Sequence, residues 1–268
     1  MHILGIVGSP HRDGLTNRLV QSALEGAREG GAHTETLYAI DYGLDYCRSC
    51  QGRPCWETGD CQFGPEARQV SERMLAADGL ILGAPVYFWQ VNALTAGLMD
   101  RTRLTGRLAI WTRGEGRPAL GISIAGGTGT GLVAAVQSLY KYLQIYGFRA
   151  LEPLPACRFN FEQALERARQ QGRTMAGTPA QPFADLGESL AWYDALPFLR
   201  WGTLEEIHYL ARLIEENLTE SESNRDLFET LRRERAEAQR RLAAGDRAGA
   251  CHHAAAAYLA GREAWERG

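Results

Sequence analysis

Four cysteines lie within a stretch of fifteen residues, CRSCQGRPCWETGDC. Their spacing is Cys47-x2-Cys50-x4-Cys55-x5-Cys61. Because the stretch also carries arginine, proline and glycine and shows no apolar period, these cysteines are hard to explain as core residues. Four thiols this close together are typical of an iron–sulfur cluster, of a four-thiolate zinc site, or of reduced or disulfide-forming cysteines.

Length and composition limit the classes of protein. The chain has 268 residues, 45% of them hydrophobic, enough for one α/β domain and a further segment. Lys and Arg number 29 against 32 Asp and Glu, so we expect no nucleic-acid partner. We find no membrane-length apolar run and no signal-peptide pattern, and expect a cytoplasmic protein without a membrane partner. Thiols stay reduced in that compartment, which favours metal or redox chemistry over structural disulfides.

Short apolar runs alternate with amphipathic segments over the first 176 residues. The apolar runs predict five buried parallel strands, at residues 3–8, 34–40, 79–83, 118–125 and 149–155. Helical spacing predicts helices at residues 16–29, 70–77, 92–101, 132–146 and 161–176. This alternation predicts a flavodoxin-like, doubly wound parallel sheet in the order 2-1-3-4-5, with its ligand at the carboxyl ends of the strands.

The composition changes after residue 176. Residues 177–182 resemble a linker, and residues 204–218, 226–242 and 248–265 are predicted helices that could pair as an antiparallel hairpin. We therefore predict a domain over 1–176, containing the cysteine segment 47–61, and a helical extension over 177–268. Four aromatic residues are expected to pack the extension onto the domain: Trp192, Tyr193, Phe198 and Trp201.

Three loops follow the first, third and fourth predicted strands. The first, residues 8–17, offers hydroxyls and backbone N–H groups for a phosphate at a helix N-terminus, although an ordinary Thr-capped turn has similar residues. It lacks the Rossmann and P-loop glycine signatures.

The second loop, residues 83–92, has three consecutive aromatics that suit the edge of a flavin ring or an aromatic cap packed into the core. The third, residues 125–131, has four glycines. Together they predict one flavin site.

The order GSP-x3-GxT, cysteine cluster, ADGLILGAPVYF and Gly/Thr-rich loop resembles the NAD(P)H-dependent FMN reductase superfamily, particularly its iron–sulfur flavoprotein branch. The resemblance covers about residues 1–176. It implies bound FMN, a homodimer or homotetramer, and a [4Fe–4S] cluster near the flavin of a neighbouring subunit. It assigns the phosphate to Ser9, His11, Thr16 and Asn17, one side of the ring to Pro85, Val86, Tyr87, Phe88 and Trp89, the other border to Gly126, Gly127, Thr128 and Gly129, and the cluster to Cys47, Cys50, Cys55 and Cys61.

The chain departs from this family at three places. The family spacing has two residues between the second and third cysteines, whereas four separate Cys50 from Cys55, which indicates an insertion. Leu15 stands where many relatives have Asn. The extension is longer than the family core requires.

These observations predict an FMN-dependent oxidoreductase. Electrons would pass from NAD(P)H or a small organic donor through flavin and a [4Fe–4S] cluster to a small-molecule or protein acceptor, with Tyr87 and Trp89 shaping access to the ring. No side chain need act as acid or base, because the flavin carries the chemistry. The alternatives are a flavin-dependent dehydrogenase of a specific small molecule, and a flavodoxin-type electron carrier with a structural zinc site.

Overall fold

The computed structural model describes residues 1–43, 45–51, 55, 61–102 and 115–268. In these residues the chain forms six β-strands and nine α-helices. The strands are β1 (His2–Val7), β2 (His33–Tyr38), β3 (Gly79–Pro85), β4 (Pro118–Ala125), β5 (Arg149–Ala150) and β6 (Leu154–Cys157). The helices are α1 (Leu15–Glu29), α2 (Glu66–Ala76), α3 (Ala93–Thr102), α4 (Leu132–Ile145), α5 (Phe161–Ala176), α6 (Leu186–Ala195), α7 (Thr203–Asn217), α8 (Arg225–Ala243) and α9 (Arg247–Arg267).

The strands form one parallel sheet in the order β2-β1-β3-β4-β5, with β6 also beside β4. The predicted flavodoxin-like order is confirmed. Every residue of β3 and β4 is buried, as expected for central strands covered by helices on both faces. Helices α1 and α5 pack on one face through residues such as Val20 and Ala168, and α2, α3 and α4 cover the other.

Three segments differ from the sequence prediction. The expected strand at 149–155 is divided into β5 and β6. The residues between them, 151–153, include Pro153, which has no N–H to donate to the sheet. Strand β2 ends at Tyr38, and a 3-10 helix, Ala39–Tyr42, leads to the cysteine segment. Helix α6 was not predicted.

The extension packs against the sheet domain. Tyr193 and Phe198 are buried in the same hydrophobic cluster as residues of α4, as predicted. The Tyr193 hydroxyl donates to the Phe148 carbonyl at 2.7 Å, and Trp192 Nε1 donates to the Ala150 carbonyl at 3.0 Å. These contacts fix the extension on the side of the sheet that carries α4.

Helices α8 and α9 form the predicted antiparallel hairpin. Near the open end, Ser223 Oγ donates to the Arg267 carbonyl at 3.2 Å. Nearer the turn, His253 Nδ1 lies 2.7 Å from a Glu234 carboxylate oxygen. Over the part of the chain that the structure describes, no helix has the length and hydropathy that crossing a bilayer requires.

Candidate functional site

The loop after β1 ends in a helix N-terminus that is open to an anion. Gly14 is the N-cap of α1, and no side chain among the described residues caps this helix, so the alternative of an ordinary Thr-capped turn is wrong. The first turn also carries no acidic residue, which leaves its backbone N–H groups and partial positive charge available. Ser9 and Thr16 are buried beside this turn, and Ser9 Oγ accepts from the His11 N–H at 3.1 Å.

An open cavity of about 620 Å³ adjoins this loop. One wall is formed by residues 10–14, and the other by Ile40 and Asp41 of the 3-10 helix. Arg12 pairs with Asp41 across the cavity and lies 4.3 Å from the centre of the Tyr38 ring. The Tyr38 hydroxyl and Gln21 both donate to Asn17 Oδ1. The loop after β1 therefore faces the 3-10 helix that leads to the cysteine segment.

The loop after β3 presents its aromatic side chains to solvent. Phe88 is 82% exposed, Tyr87 58% and Trp89 46%. The alternative of an aromatic cap packed into the core is therefore wrong. Trp89 has a φ of +60°, a left-handed conformation that strains a residue with a side chain. The Val86 N–H donates to the Ile124 carbonyl at 2.8 Å, which holds the start of this loop against β4.

Asn92 and Thr95 join this loop to the loop after β1. Asn92 Nδ2 and Thr95 Oγ1 both donate to the Gly8 carbonyl, at 2.9 and 3.0 Å. Asn92 Oδ1 also accepts from the Thr95 N–H at 3.2 Å and so caps α3. These two residues are not among the predicted site residues, although Asn-x-x-Thr before a helical pattern is a capping signal.

The glycine-rich loop after β4 completes the same edge. Gly126, Gly127 and Thr128 are exposed, and Leu15 of α1 packs beside Gly126. Gly131 has a φ of +88°, and a Cβ there would lie 2.5 Å from Trp89 Cα. The loops after β1, β3 and β4 therefore touch one another, and the structure brings the predicted phosphate and ring residues to one edge of the sheet.

Two residues of the extension form hydrogen bonds with the glycine-rich loop and the start of α4. Glu206 of α7 is 3% exposed and accepts hydrogen bonds from the Gly131 and Val133 N–H groups at 2.6 and 2.9 Å. Burial raises the pKa of Glu206, although these backbone hydrogen bonds act to lower it. The Tyr258 hydroxyl of α9 donates to the Thr128 carbonyl at 2.8 Å. No local sequence pattern marks these residues, because each lies far along the chain from its partner.

The cysteine segment leaves the same edge after β2. Cys47, Cys50, Cys55 and Cys61 are partly buried and free of disulfides. Burial, and then the charge of the other three cysteines, raises the pKa of the Cys55 thiol, so the four lie within electrostatic range of one another. Within the described ranges, no three Cys, His, Asp or Glu side chains converge as ligands of one metal ion. Residues 52–54 and 56–60 lie outside the described residues, and the four-thiolate ligand set stays a prediction.

Arg101 connects α3 to the start of the cysteine segment. Its side chain is 2% exposed, and Nη1 donates to the Asp45 carbonyl at 3.1 Å. Its Nε and Nη2 atoms have no hydrogen-bond partner among the residues that the structure describes. The buried guanidinium contacts Asp45, which lies two residues before Cys47, and so favours negative charge in this segment.

Comparisons with known proteins agree with this arrangement. The model of the NADPH-dependent FMN reductase family matches residues 1–156. An iron–sulfur flavoprotein of Methanocaldococcus jannaschii is 33% identical over 192 residues, which cover 66% of this chain and 96% of that protein. One from Methanosarcina thermophila is 31% identical over 147 residues, covering 55% of this chain and 75% of that protein.

A solved structure shares the fold. The NAD(P)H:quinone oxidoreductase from Methanothermobacter marburgensis superposes with a TM-score of 0.52 and 22% identity, covering 65% of this chain and 98% of that one. With the family match over more than half of the sequence, these findings show that the chain is a flavin-dependent oxidoreductase belonging to the NADPH-dependent FMN reductase family, in its iron–sulfur flavoprotein branch.

Proposed function

We propose that this oxidoreductase takes electrons from NAD(P)H or a small organic donor at bound FMN and passes them through a [4Fe–4S] cluster, held by the four clustered cysteines, to a small-molecule or protein acceptor. The observation that carries the proposal is the common edge. The strands that the structure describes are parallel, so the cysteine segment after β2 and the loops after β1, β3 and β4 leave the sheet at its carboxyl end. Doubly wound sheets bind their ligands there.

The residues at this edge fit FMN. The uncapped N-terminus of α1 and the hydroxyls of Ser9 and Thr16 would bind the phosphate, with Asn17 and His11 beside them. The backbone from Pro85 to Trp89 would border the ring, and Gly126 to Gly129 would border its other side. Because Tyr87 and Trp89 are exposed, they would control which molecules reach the ring.

The four cysteines have the donor chemistry of an iron–sulfur site. They are four thiols on one segment, and Arg101 adds a buried positive charge beside it. When bound, FMN exchanges electrons in pairs or singly and a [4Fe–4S] cluster exchanges them singly, so together they would link a hydride donor to a one-electron acceptor. The same thiols also suit zinc, which would stabilise the segment without carrying electrons.

A second candidate is a flavin-dependent dehydrogenase of a specific small molecule. The observation that favours it is the hydrogen bond from Tyr258 to the Thr128 carbonyl, which brings an extension helix to the proposed ring border.

We also propose a homodimer or homotetramer, because large aromatic side chains as exposed as Tyr87 and Phe88 are typical of contact surfaces. Light scattering during gel filtration measures the subunit number.

Cofactor analysis of anaerobically purified protein tests the proposal. We expect extractable FMN, together with about four iron and four acid-labile sulfide per chain. The Cys50→Ser variant should lose most of the iron, whereas Cys251→Ser, outside the segment, should retain it. Zinc in place of iron would contradict the cluster, and absence of FMN would contradict the flavin site. If neither NADH nor NADPH reduces the flavin anaerobically, the specific dehydrogenase is favoured.

A further inference from the structure

Three residues of the extension contact the glycine-rich loop and the start of α4, all within residues 128–133. The Glu206 carboxylate receives the N–H groups of Gly131 and Val133, and the Tyr258 hydroxyl donates to the Thr128 carbonyl. Leu210, one turn after Glu206, packs against Gly129, where a Cβ would lie 2.7 Å from Leu210 Cδ2. These residues belong to α7 and α9, and lie outside residues 1–156 that match the family model.

A loop of this composition needs outside support to keep one shape. Glycine loses more backbone freedom on ordering than any other residue, and residues 126–131 contain four glycines. Gly129 and Gly131 both have a positive φ, which the loop must hold for a ligand to meet it preformed. Within the loop, the Thr128 and Thr130 hydroxyls share a hydrogen bond of 2.7 Å and the Thr130 N–H donates to Thr128 Oγ1 at 3.4 Å, whereas the hydrogen bonds of Glu206 and Tyr258 come from the extension.

Glu206 also makes the N-terminus of α4 less able to bind an anion than the N-terminus of α1. Its carboxylate occupies the N-terminus of α4, where the backbone donors and the helix dipole would otherwise attract a phosphate. The N-terminus of α1 has neither a side-chain cap nor an acidic residue in its first turn. An FMN phosphate is therefore directed to α1, and the glycine-rich loop in front of α4 is left for the uncharged ring.

We infer that Glu206 and Tyr258 are positioning residues, through which the C-terminal helices hold the glycine-rich loop in the shape that binds the flavin ring. The inference rests on the proposed FMN site. The extension then contributes two residues to the shape of the cofactor site, and both lie outside residues 1–156 that match the family model.

Titration of FMN into flavin-free protein tests the inference, with Glu206→Gln as the variant. This change keeps the size of the side chain and removes its charge and one strong acceptor. We expect FMN to bind about tenfold more weakly, as the loss of one charge-assisted hydrogen bond implies. The visible circular dichroism of the bound flavin should also change, because the loop would border the ring differently. A stability role alone would lower the melting temperature and leave both quantities unchanged well below it.

Glu205→Gln is the matched control. Glu205 is the preceding residue of α7, but its carboxylate pairs with Arg247 and receives the Gly202 N–H, away from the loop. The control should bind FMN within about twofold of the unmodified protein. Equal weakening in both variants, or unchanged binding in Glu206→Gln, overturns the inference.

Two further outcomes are decisive. If Glu206→Gln does not fold, Tyr258→Phe replaces it, since this change removes only the hydroxyl that bonds Thr128. Weaker FMN binding by Tyr258→Phe then supports the inference, and unchanged binding overturns it. If the unmodified protein binds no FMN, the proposed function fails first and the inference fails with it, whereas FMN binding that is insensitive to both changes overturns the inference alone.

Discussion

The loop after β3 and the glycine-rich loop meet at one glycine. Gly131 lies at the junction, with a left-handed φ of +88° and Trp89 Cα directly against it. Trp89 itself has a φ of +60°. Glycine adopts a positive φ readily, whereas the same conformation is unfavourable for Trp89, so the strain at this contact lies on Trp89.

Gly131→Ala should therefore destabilise the protein. The new Cβ would meet backbone atoms of Trp89 and the alanine would hold a positive φ, so we expect the free energy of unfolding to fall by about 1 to 3 kcal/mol. Gly127→Ala is the control, because a Cβ at Gly127 meets no atom within 4 Å and its φ is not positive. Urea unfolding measures both. Equal stability of the two variants would contradict the strained junction.

The sequence predicted the residues that line the site better than the residues that hold it together. Ser9, Tyr87 and Gly126 were found because each lies in a loop directly after an apolar run. Asn92 was within reach of the sequence, since its capping pattern is local. Glu206 was not, because its partner N–H groups lie 75 and 73 residues earlier in the chain, and only the folded extension brings them together.

At the scale of elements, the accuracy of the prediction follows the burial pattern. Strand β4 and helix α5 have the predicted bounds, since every residue of β4 is buried and α5 has a regular buried stripe. Helix α6 was missed because Leu186 and Leu190 point to solvent while Ser189 and Tyr193 are buried, so its apolar residues show no helical period toward the core. The fifth strand is divided at residues 151–153, which include Pro153 and belong to neither β5 nor β6.

Ion pairs connect α1 to α5 and should make their packing depend on pH. Glu29 accepts from Arg169 Nε at 2.8 Å and from Arg173 Nε at 2.6 Å. The hydrogen bonds from Arg169 and then Arg173 lower the pKa of Glu29 from 4.5 to about 2. A carboxylate with a lowered folded pKa stabilises the fold above its unfolded pKa, and this stabilisation is lost as the pH falls from about 4.5 towards 2.

Glu29→Gln should thus lower the melting temperature at pH 7, and the difference from the unmodified protein should shrink steadily below about pH 4.5. Thermal unfolding followed by circular dichroism between pH 7 and pH 3 measures it. Glu25→Gln, an exposed residue one turn earlier on α1, is the control and should have a smaller effect at pH 7. A difference for Glu29→Gln that stays constant with pH would show that the charge of Glu29 is not responsible.

At the scale of the whole molecule, the boundary predicted at residue 177 marks a change of composition. Phe198, Leu210 and Leu231 of the extension belong to the same buried cluster as Leu139 and Phe148 of the sheet domain. The linker at 177–182 therefore joins two parts of one hydrophobic core. Composition alone could not reveal this, because amphipathic helices look the same whether they pack on a sheet or on one another.

A shared core predicts one cooperative unfolding transition, and Leu231→Ala tests it. Leu231 lies on α8, is fully buried and is far along the chain from the proposed flavin loops. The cavity left by the substitution should cost about 2 to 5 kcal/mol. If the extension and the sheet unfold together, calorimetry should show a single peak that moves to lower temperature by several degrees.

If the extension were an independent domain, the substitution would move one peak away from a second that stays in place, and the sheet domain would keep its melting temperature. The exposed residue Arg233, on the same helix, provides the control: Arg233→Ala should leave the single peak within about one degree of its original position.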